Sequence, residues 1–247
     1  MQITIIGELC HDVFIYGDVK RLCPEAPVPI LTDIITVSNS GMAGNVRENL
    51  LAHNPTLKIS LINQKNPIKK TRYIDEKTNH MFLRVDEGED NIDSLILTPE
   101  KIEEISESDL VIVSDYNKGF LNDETLIQIG HLSKLSVIDT KKIITKRLID
   151  SFTFMKLNEH EYQRNKFISD KNKDKLIITL GMNGAKHNDI VYPSPSPKQT
   201  IDVSGAGDTF TAFFSLKYSE TKNISESITF ANQMASIVVS KRGVTTP

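Results

Sequence analysis

Asp202-Val-Ser-Gly-Ala-Gly-Asp-Thr-Phe210 sets three small residues, Gly205, Ala206 and Gly207, where a helical pattern opens at about 206–219. Amide hydrogens at a helix start have no partner within the helix, and the helix dipole favours negative charge there. Minimal side chains let a phosphate approach that backbone, so the segment reads as an anion hole. The acid one residue on, Asp208, then lies where it accepts a proton from an attacking hydroxyl. Phosphoryl transfer asks for little beyond charge stabilisation, alignment and such a base. A plainer reading makes Asp208 a first-turn helix acid and the glycines a tight turn.

Moving outward, a second helix closes the chain at about 224–240. There Ile224, Ile228, Ala231, Ala235 and Val238 recur at spacings of four and three and give one apolar stripe. Further helices are predicted at about 42–53, 122–134 and 159–165. Between them lie short apolar runs at Ile3–Ile6, Leu57–Ile62, Leu110–Ser114, Ser136–Asp139, Thr153–Leu157 and Leu176–Leu180. Most are continuous rather than alternating, as in strands covered on both faces. The alternation of strand and helix predicts an α/β sandwich with a mostly parallel central sheet. Residues 12–37 carry β-formers interrupted by Pro24, Pro27 and Pro29, so a strand there is expected to be short or at an edge. Residues 68–86 read as two strands, Ile68–Ile74 and Asn79–Asp86, around a polar turn. Together the two stretches predict a small β lid on the main sheet. The segment at 193–198 reads as a rigid, proline-rich loop.

A net charge of −3 argues against a surface for nucleic acid. No apolar run approaches the ~20 residues that span a bilayer, and the N-terminus is too short and uncharged for a signal peptide. Two cysteines, Cys10 and Cys23, make no disulfide framework and suggest free thiols in a cytoplasmic protein. The length suits one domain over 1–247, with lid segments at about 12–37 and 68–86.

The motifs resemble those of the ribokinase-like (PfkB) carbohydrate kinases. Asp202–Phe210 is similar to that family's D-T-x-G-A-G-D stretch, and Gly41-Met-Ala-Gly-Asn45 to its G-G-A-A-N signature. Asn158-Glu-His-Glu161 fits N-x-x-E, and Thr179-Leu-Gly-Met-Asn-Gly184 fits T-x-G-x-x-G. Within the family the likeness is strongest to heptose 7-phosphate 1-kinases. It is carried by Arg21–Pro29, Lys70-Thr-Arg72 with Leu83–Asp86, Ser114–Gly119 and Asp139-Thr-Lys141. Ala231-Asn232 and Lys241–Thr245 look like the helix and loop around the adenine.

The resemblance implies a three-layer α/β/α kinase using ATP and Mg²⁺. Gly205, Ala206 and Gly207 would form the anion hole, with Asp208 as the base. Asn158 and Glu161 would position Mg²⁺ largely through water, as suits a hard cation that keeps its hydration; an N-cap with a first-turn acid is the compatible plainer reading. Thr179, Gly181, Gly184, Asn232 and Gly243 would line the nucleotide, although Asn232 could equally face solvent. Asp202 and Ser204 resemble a K⁺ site of some members, and a loop-stabilising Asx turn is an equal reading. For the acceptor, Asp12, Gly41, Asn45 and Asp115 would meet hydroxyls. Arg72, Arg84 and Lys118 would hold a phosphate already on the sugar. Relatives pair through such lids, which implies a homodimer.

Three departures stand out. Met42 replaces a glycine, and is expected to put a flexible side chain beside the sugar. The span from Asn45 to Lys70 is short, as though a strand–helix unit were trimmed, and a further shortening follows Glu161. The sequence to Pro247 holds no nucleotidyltransferase domain; if the protein serves a heptose pathway, that step is expected to fall to another protein. The competing class is a trimmed relative that binds nucleotide or sugar without turnover; the retained base argues against it.

Overall fold

The computed structural model describes residues 1–166, 171–195, 202–241 and 243–247. Its main sheet runs β12-β11-β10-β9-β8-β7-β1-β4. The strands are β1 (Gln2–Gly7), β4 (Lys58–Ile62), β7 (Leu110–Asp115), β8 (Ser136–Thr140), β9 (Phe154–Asn158) and β10 (Leu176–Thr179), all paired in parallel. β11 (Ala185–His187) and β12 (Ile190–Tyr192) add an antiparallel edge.

Parity along these strands builds two cores. Ile6, Val111, Val113, Ile138 and Leu157 face one layer, packed with Ile105, Leu126, Ile129 and Leu148. Those partners come from α2 (Pro99–Glu107), α3 (Asp123–Leu132) and α4 (Lys146–Ser151). Ile3, Ile5, Leu110 and Ile112 face the opposite layer, against α1 (Ala43–His53) and α6 (Ala206–Thr221). There α7 (Ile224–Val238) joins them through Ile228 and Ala231. The strands are therefore covered on both sides, which is why their sequences do not alternate.

The stretches 12–37 and 68–86 belong to one four-stranded sheet, ordered β3-β2-β5-β6. β2 (Leu9–Leu22) and β3 (Pro29–Met42) are each fourteen residues long; β3 lies at the sheet edge, as one of the two expectations had it, while β2 is both long and interior and corrects them. Pro24 and Pro27 sit in the connection, and Pro29 opens edge strand β3, so none removes an interior ladder hydrogen bond. β5 (Ile68–Asp75) pairs with β2 in parallel and with β6 (Met81–Glu87) antiparallel. Residues 196–198 of the proline-rich segment lie outside the described residues.

Met42 corrects a second expectation. Its side chain does not lie free beside a sugar: it is buried with Cys10 and Ile68, against Ile92 and Tyr116. Its backbone nevertheless sits at φ 56°, ψ −129°, a region that glycine enters without a Cβ penalty. Met42→Gly is therefore expected to be more stable than Met42→Ala, by about 1 kcal/mol or more. Denaturant midpoints for the two variants check this, and the usual order, alanine above glycine, would show that the backbone is unstrained.

Candidate active site

The start of α6 carries the centre of the site. Gly205, its N-cap, is at φ 80° with no side-chain cap, and an added Cβ would fall 2.8 Å from Asn45 Nδ2. The Ala206 amide is already spent on the Val203 carbonyl at 3.3 Å, so not all the amides of 205–207 are open to an anion. Asp208, one turn in, is buried. Asn45 Nδ2 donates to its Oδ2 at 3.1 Å and the Tyr116 hydroxyl to its Oδ1 at 2.9 Å. Burial pushes its carboxyl up to about 6 against those two hydrogen bonds, with the Asp139 charge adding to the rise. Burial, then the Asp208 charge, hold the Tyr116 phenol well above its usual range, so it stays a donor.

Both donors are themselves fixed. Asn49 Nδ2 donates to Asn45 Oδ1 at 2.9 Å, and Thr209 Oγ1 to Asn49 Oδ1 at 3.0 Å. Glu8, fully buried, accepts the backbone amides of Tyr116 and Lys118, each at 2.9 Å. It thereby sets the loop after β7.

Lys156, Lys141, Asp139 and Tyr116 were not singled out as site residues by sequence reasoning. Lys156, in the middle of β9, is buried beneath the helix start: an added Cβ on Gly207 would fall 3.2 Å from its Nζ. Its ammonium lies 2.7 Å from Asp139 Oδ2, and Lys141 lies 2.6 Å from Glu161 Oε1 and 3.6 Å from Asp139 Oδ1. Burial opposes the charges on Asp139 and Lys141, but their mutual attraction wins. Lys156 and Lys141 hold Asp139 below the usual carboxylate range, and Asp139 and Glu161 hold Lys141 above the lysine range. A lysine inside an otherwise apolar strand run was the available signal for Lys156.

A cavity of about 700 Å³ opens from this point. Lys141, Lys156, Asn158, Ala206 and Gly207 line one end, and Thr179, Gly181, Gly184, Asn232 and Ala235 the rest. Asn232 is buried and donates to the Tyr192 carbonyl at 2.9 Å, which overturns the solvent-facing alternative. Gly243 is elsewhere: it lines a smaller hollow with Phe14, Tyr16 and Val37, and its amide donates to Asp202 Oδ2 at 3.1 Å. The nucleotide role expected for it is not supported by that position. Asp202 Oδ1 accepts the Ser204 amide at 2.8 Å, the Asx turn anticipated as the plainer reading.

Asn158 and Glu161 form a reciprocal capping box on α5 (Glu159–Arg164). With Lys141 on Oε1 and the Asn158 amide on Oε2, Glu161 has only its remaining lone pairs to offer. Among the described residues no three His, Cys, Asp or Glu side chains converge as a metal cage. Buried Asp139 Oδ1 also lacks a hydrogen-bond partner. This donor set fits a hydrated magnesium ion held through water and does not fit direct coordination by several carboxylates.

The proposed acceptor groups cluster on the inner face of the small sheet. Asp12 accepts from Arg72 at 2.6 Å, and the Arg72 guanidinium lies 4.8 Å from the centre of the Phe14 ring. Gly41 is packed so closely that a Cβ would fall 2.0 Å from Asp12 Oδ2, so only glycine leaves that carboxylate its place. Arg84 is engaged in a two-point pair with Asp86, both contacts at 2.7 Å. Asp115 stands apart: Thr140 Oγ1 and the Asn117 amide occupy its two oxygens, and burial raises its carboxyl to about 6. It organises the loop below the sheet.

The chain matches the profile of the pfkB family carbohydrate kinases over residues 55–247. It is 30% identical to a bifunctional protein HldE of a Nitratiruptor species, across 99% of this chain and 63% of that protein. To the HldE of Helicobacter acinonychis it is 31% identical, across 98% of this chain and 63% of the relative. The chain thus spans less than two thirds of the length of these curated relatives. In fold it is similar to the ribokinase of Arabidopsis thaliana, solved with ribose and ATP: TM-score 0.72, 17% identity, 98% of this chain and 93% of that one. A ribokinase of Thermotoga maritima aligns at TM-score 0.73 and 18% identity, over 98% and 94% of the two chains. The matched profile covers most of the chain and the fold is similar to that of the ribokinases, and the chain belongs to the pfkB family of carbohydrate kinases.

Proposed function

We propose that the chain transfers the γ-phosphate of ATP to the anomeric hydroxyl of a heptose 7-phosphate, or of a closely related sugar phosphate. The observation that carries this reading is the buried Asp208 carboxylate beside the open helix start, with Lys156 beneath it. The heptose assignment leans on the sequence likeness of the lid strands and of Ser114–Gly119.

Asp12 accepts a sugar hydroxyl, and the ion pair with Arg72 keeps that carboxylate aimed. Asp208 takes the proton of the attacking hydroxyl as its oxygen bonds to the γ-phosphorus and the bond to the ADP oxygen breaks. The Gly207 end of the helix and the ammoniums of Lys156 and Lys141 meet the charge that builds on the transferred group. Magnesium, held through water near Asn158 and Glu161, would neutralise charge on the nucleotide's phosphate oxygens.

A coupled ADP-release screen against heptose 7-phosphate, hexose phosphates and free sugars tests this. ADP release that depends on a phosphorylated sugar is expected. Faster release with a free sugar would overturn the sugar-phosphate reading, and tight ATP binding with no release on any acceptor would favour a binding protein.

A further inference from the structure

Lys70, Arg72 and Arg84 of the small sheet are each ion-paired, but not alike. Arg72 and Arg84 pair with Asp12 and Asp86, carboxylates of the same sheet. Glu89 takes two ammoniums that come from different parts of the fold. Lys118 Nζ lies 2.5 Å from its Oε2, and Lys70 Nζ lies 3.4 Å from its Oε1. Lys70 belongs to β5 and its side chain is 11% exposed. Lys118 belongs to the loop after β7, whose backbone Glu8 fixes. Strand register sets Lys70 beside Asp12 on one side and Asp86 on the other. Two positioned cations thus converge on a point adjoining the proposed sugar anchor, and a carboxylate of the chain itself occupies it.

We propose that Glu89 is an internal stand-in for the phosphate borne by the sugar, holding Lys70 and Lys118 in place and yielding to the substrate. This rests on the reading that the acceptor is a sugar phosphate. A phosphate brings nearly two charges and three acceptor oxygens to a pair of ammoniums that a carboxylate serves with one charge. The Glu89 pairing is also incomplete, since buried Oε1 has no hydrogen-bond partner. Displacement does not strand the carboxylate. Its side chain is 24% exposed, and it follows Gly88, at φ 81°, where no atom lies within about 3.5 Å of an added Cβ. The Lys118 hydrogen bond holds its carboxyl below the usual range, so the competitor stays charged at neutral pH.

Calorimetry with inorganic phosphate, together with KM for the sugar phosphate, tests the proposal. Glu89→Gln and Glu89→Ala are each expected to tighten phosphate binding, and to lower KM for the sugar phosphate, by about two- to fivefold, the scale of part-exposed ion pairs. KM for ATP and kcat should stay put. Glu87→Gln, which frees the surface partner Lys69, controls for net charge and should change nothing. Lys70→Met and Lys118→Met should weaken phosphate binding. Unchanged or weaker phosphate binding in both Glu89 variants overturns the stand-in role. If the lysine variants still lose the phosphorylated sugar selectively, the sugar-phosphate reading survives that outcome. A wild-type enzyme that prefers free sugar overturns both.

Discussion

Asp208→Asn is expected to lower kcat by about 10²- to 10⁴-fold, the usual worth of a positioned general base, while ATP binding persists. The amide keeps the shape and an acceptor for Tyr116 or Asn45, but it takes no proton at neutral pH. A variant retaining a tenth of wild-type turnover would sink the assignment. The same carboxyl sets a pH profile. With Asp208 raised to about 6, the unprotonated fraction falls about tenfold per pH unit below that value, and kcat/KM should follow. Stability responds oppositely. A folded-state pKa above the unfolded 3.8 means that the folded chain binds the proton more tightly, so Asp208 costs stability as pH rises from about 4 through about 6. At pH 7 Asp208→Asn should therefore unfold later than wild type, by about 1–3 kcal/mol. Denaturant titrations at pH 5 and pH 7 check this, and the gap between variant and wild type should widen at the higher pH.

Lys156→Met is expected to cost about 3–5 kcal/mol of stability, because it leaves Asp139 buried without its partner at 2.7 Å. Lys141, 3.6 Å from the other oxygen, recovers only part of that. Adding Asp139→Asn removes the orphaned charge and should restore most of the unfolding free energy. It should not restore turnover. With no ammonium under Gly207, kcat in the double variant is expected to stay down by about 10²-fold, the scale of one lost electrostatic contact to the transferred group. Recovery of both stability and kcat would make Lys156 a purely structural lysine.

How much of this could be read in advance depends on how local each signal was. The parallel strands and the helices α6 and α7 declare themselves through continuous apolar runs and one stripe. Gly205, Ala206, Gly207 and Asp208 are contiguous, so their chemistry is visible in one line of sequence. α2 has only a local start signal, Thr98-Pro99-Glu100, with proline in the first helical turn. β11 and β12 have three residues each, too short for any periodicity to show. Pro24, Pro27 and Pro29 point to short or edge strands, which holds for the position of β3 but not for β2, because these prolines mark the connection between two long strands. At the site, the residues that fix Asp208 come from Asn45, Tyr116 and, through Asn45, Asn49, all far away in sequence. Nothing local marks such pairings. Glu8 and Lys156 sit among apolar neighbours, and only the three-dimensional packing shows which backbone amides and which acid they meet.

The length of β3 carries a consequence for the behaviour of the chain in solution. Fourteen residues of sheet edge, with Ile34, Ile35 and Val37 exposed, present unpaired backbone groups next to apolar side chains, a surface prone to colloidal attraction. A net charge of −3 supplies little long-range repulsion against it. Protection is therefore local: the ladder to β2 is irregular between Tyr16/Asp18 and Val19/Leu22, and Lys20 and Asp33 set a charged pair towards its far end. Salt screens such a pair, so the shelf life of concentrated stocks should shorten as ionic strength rises.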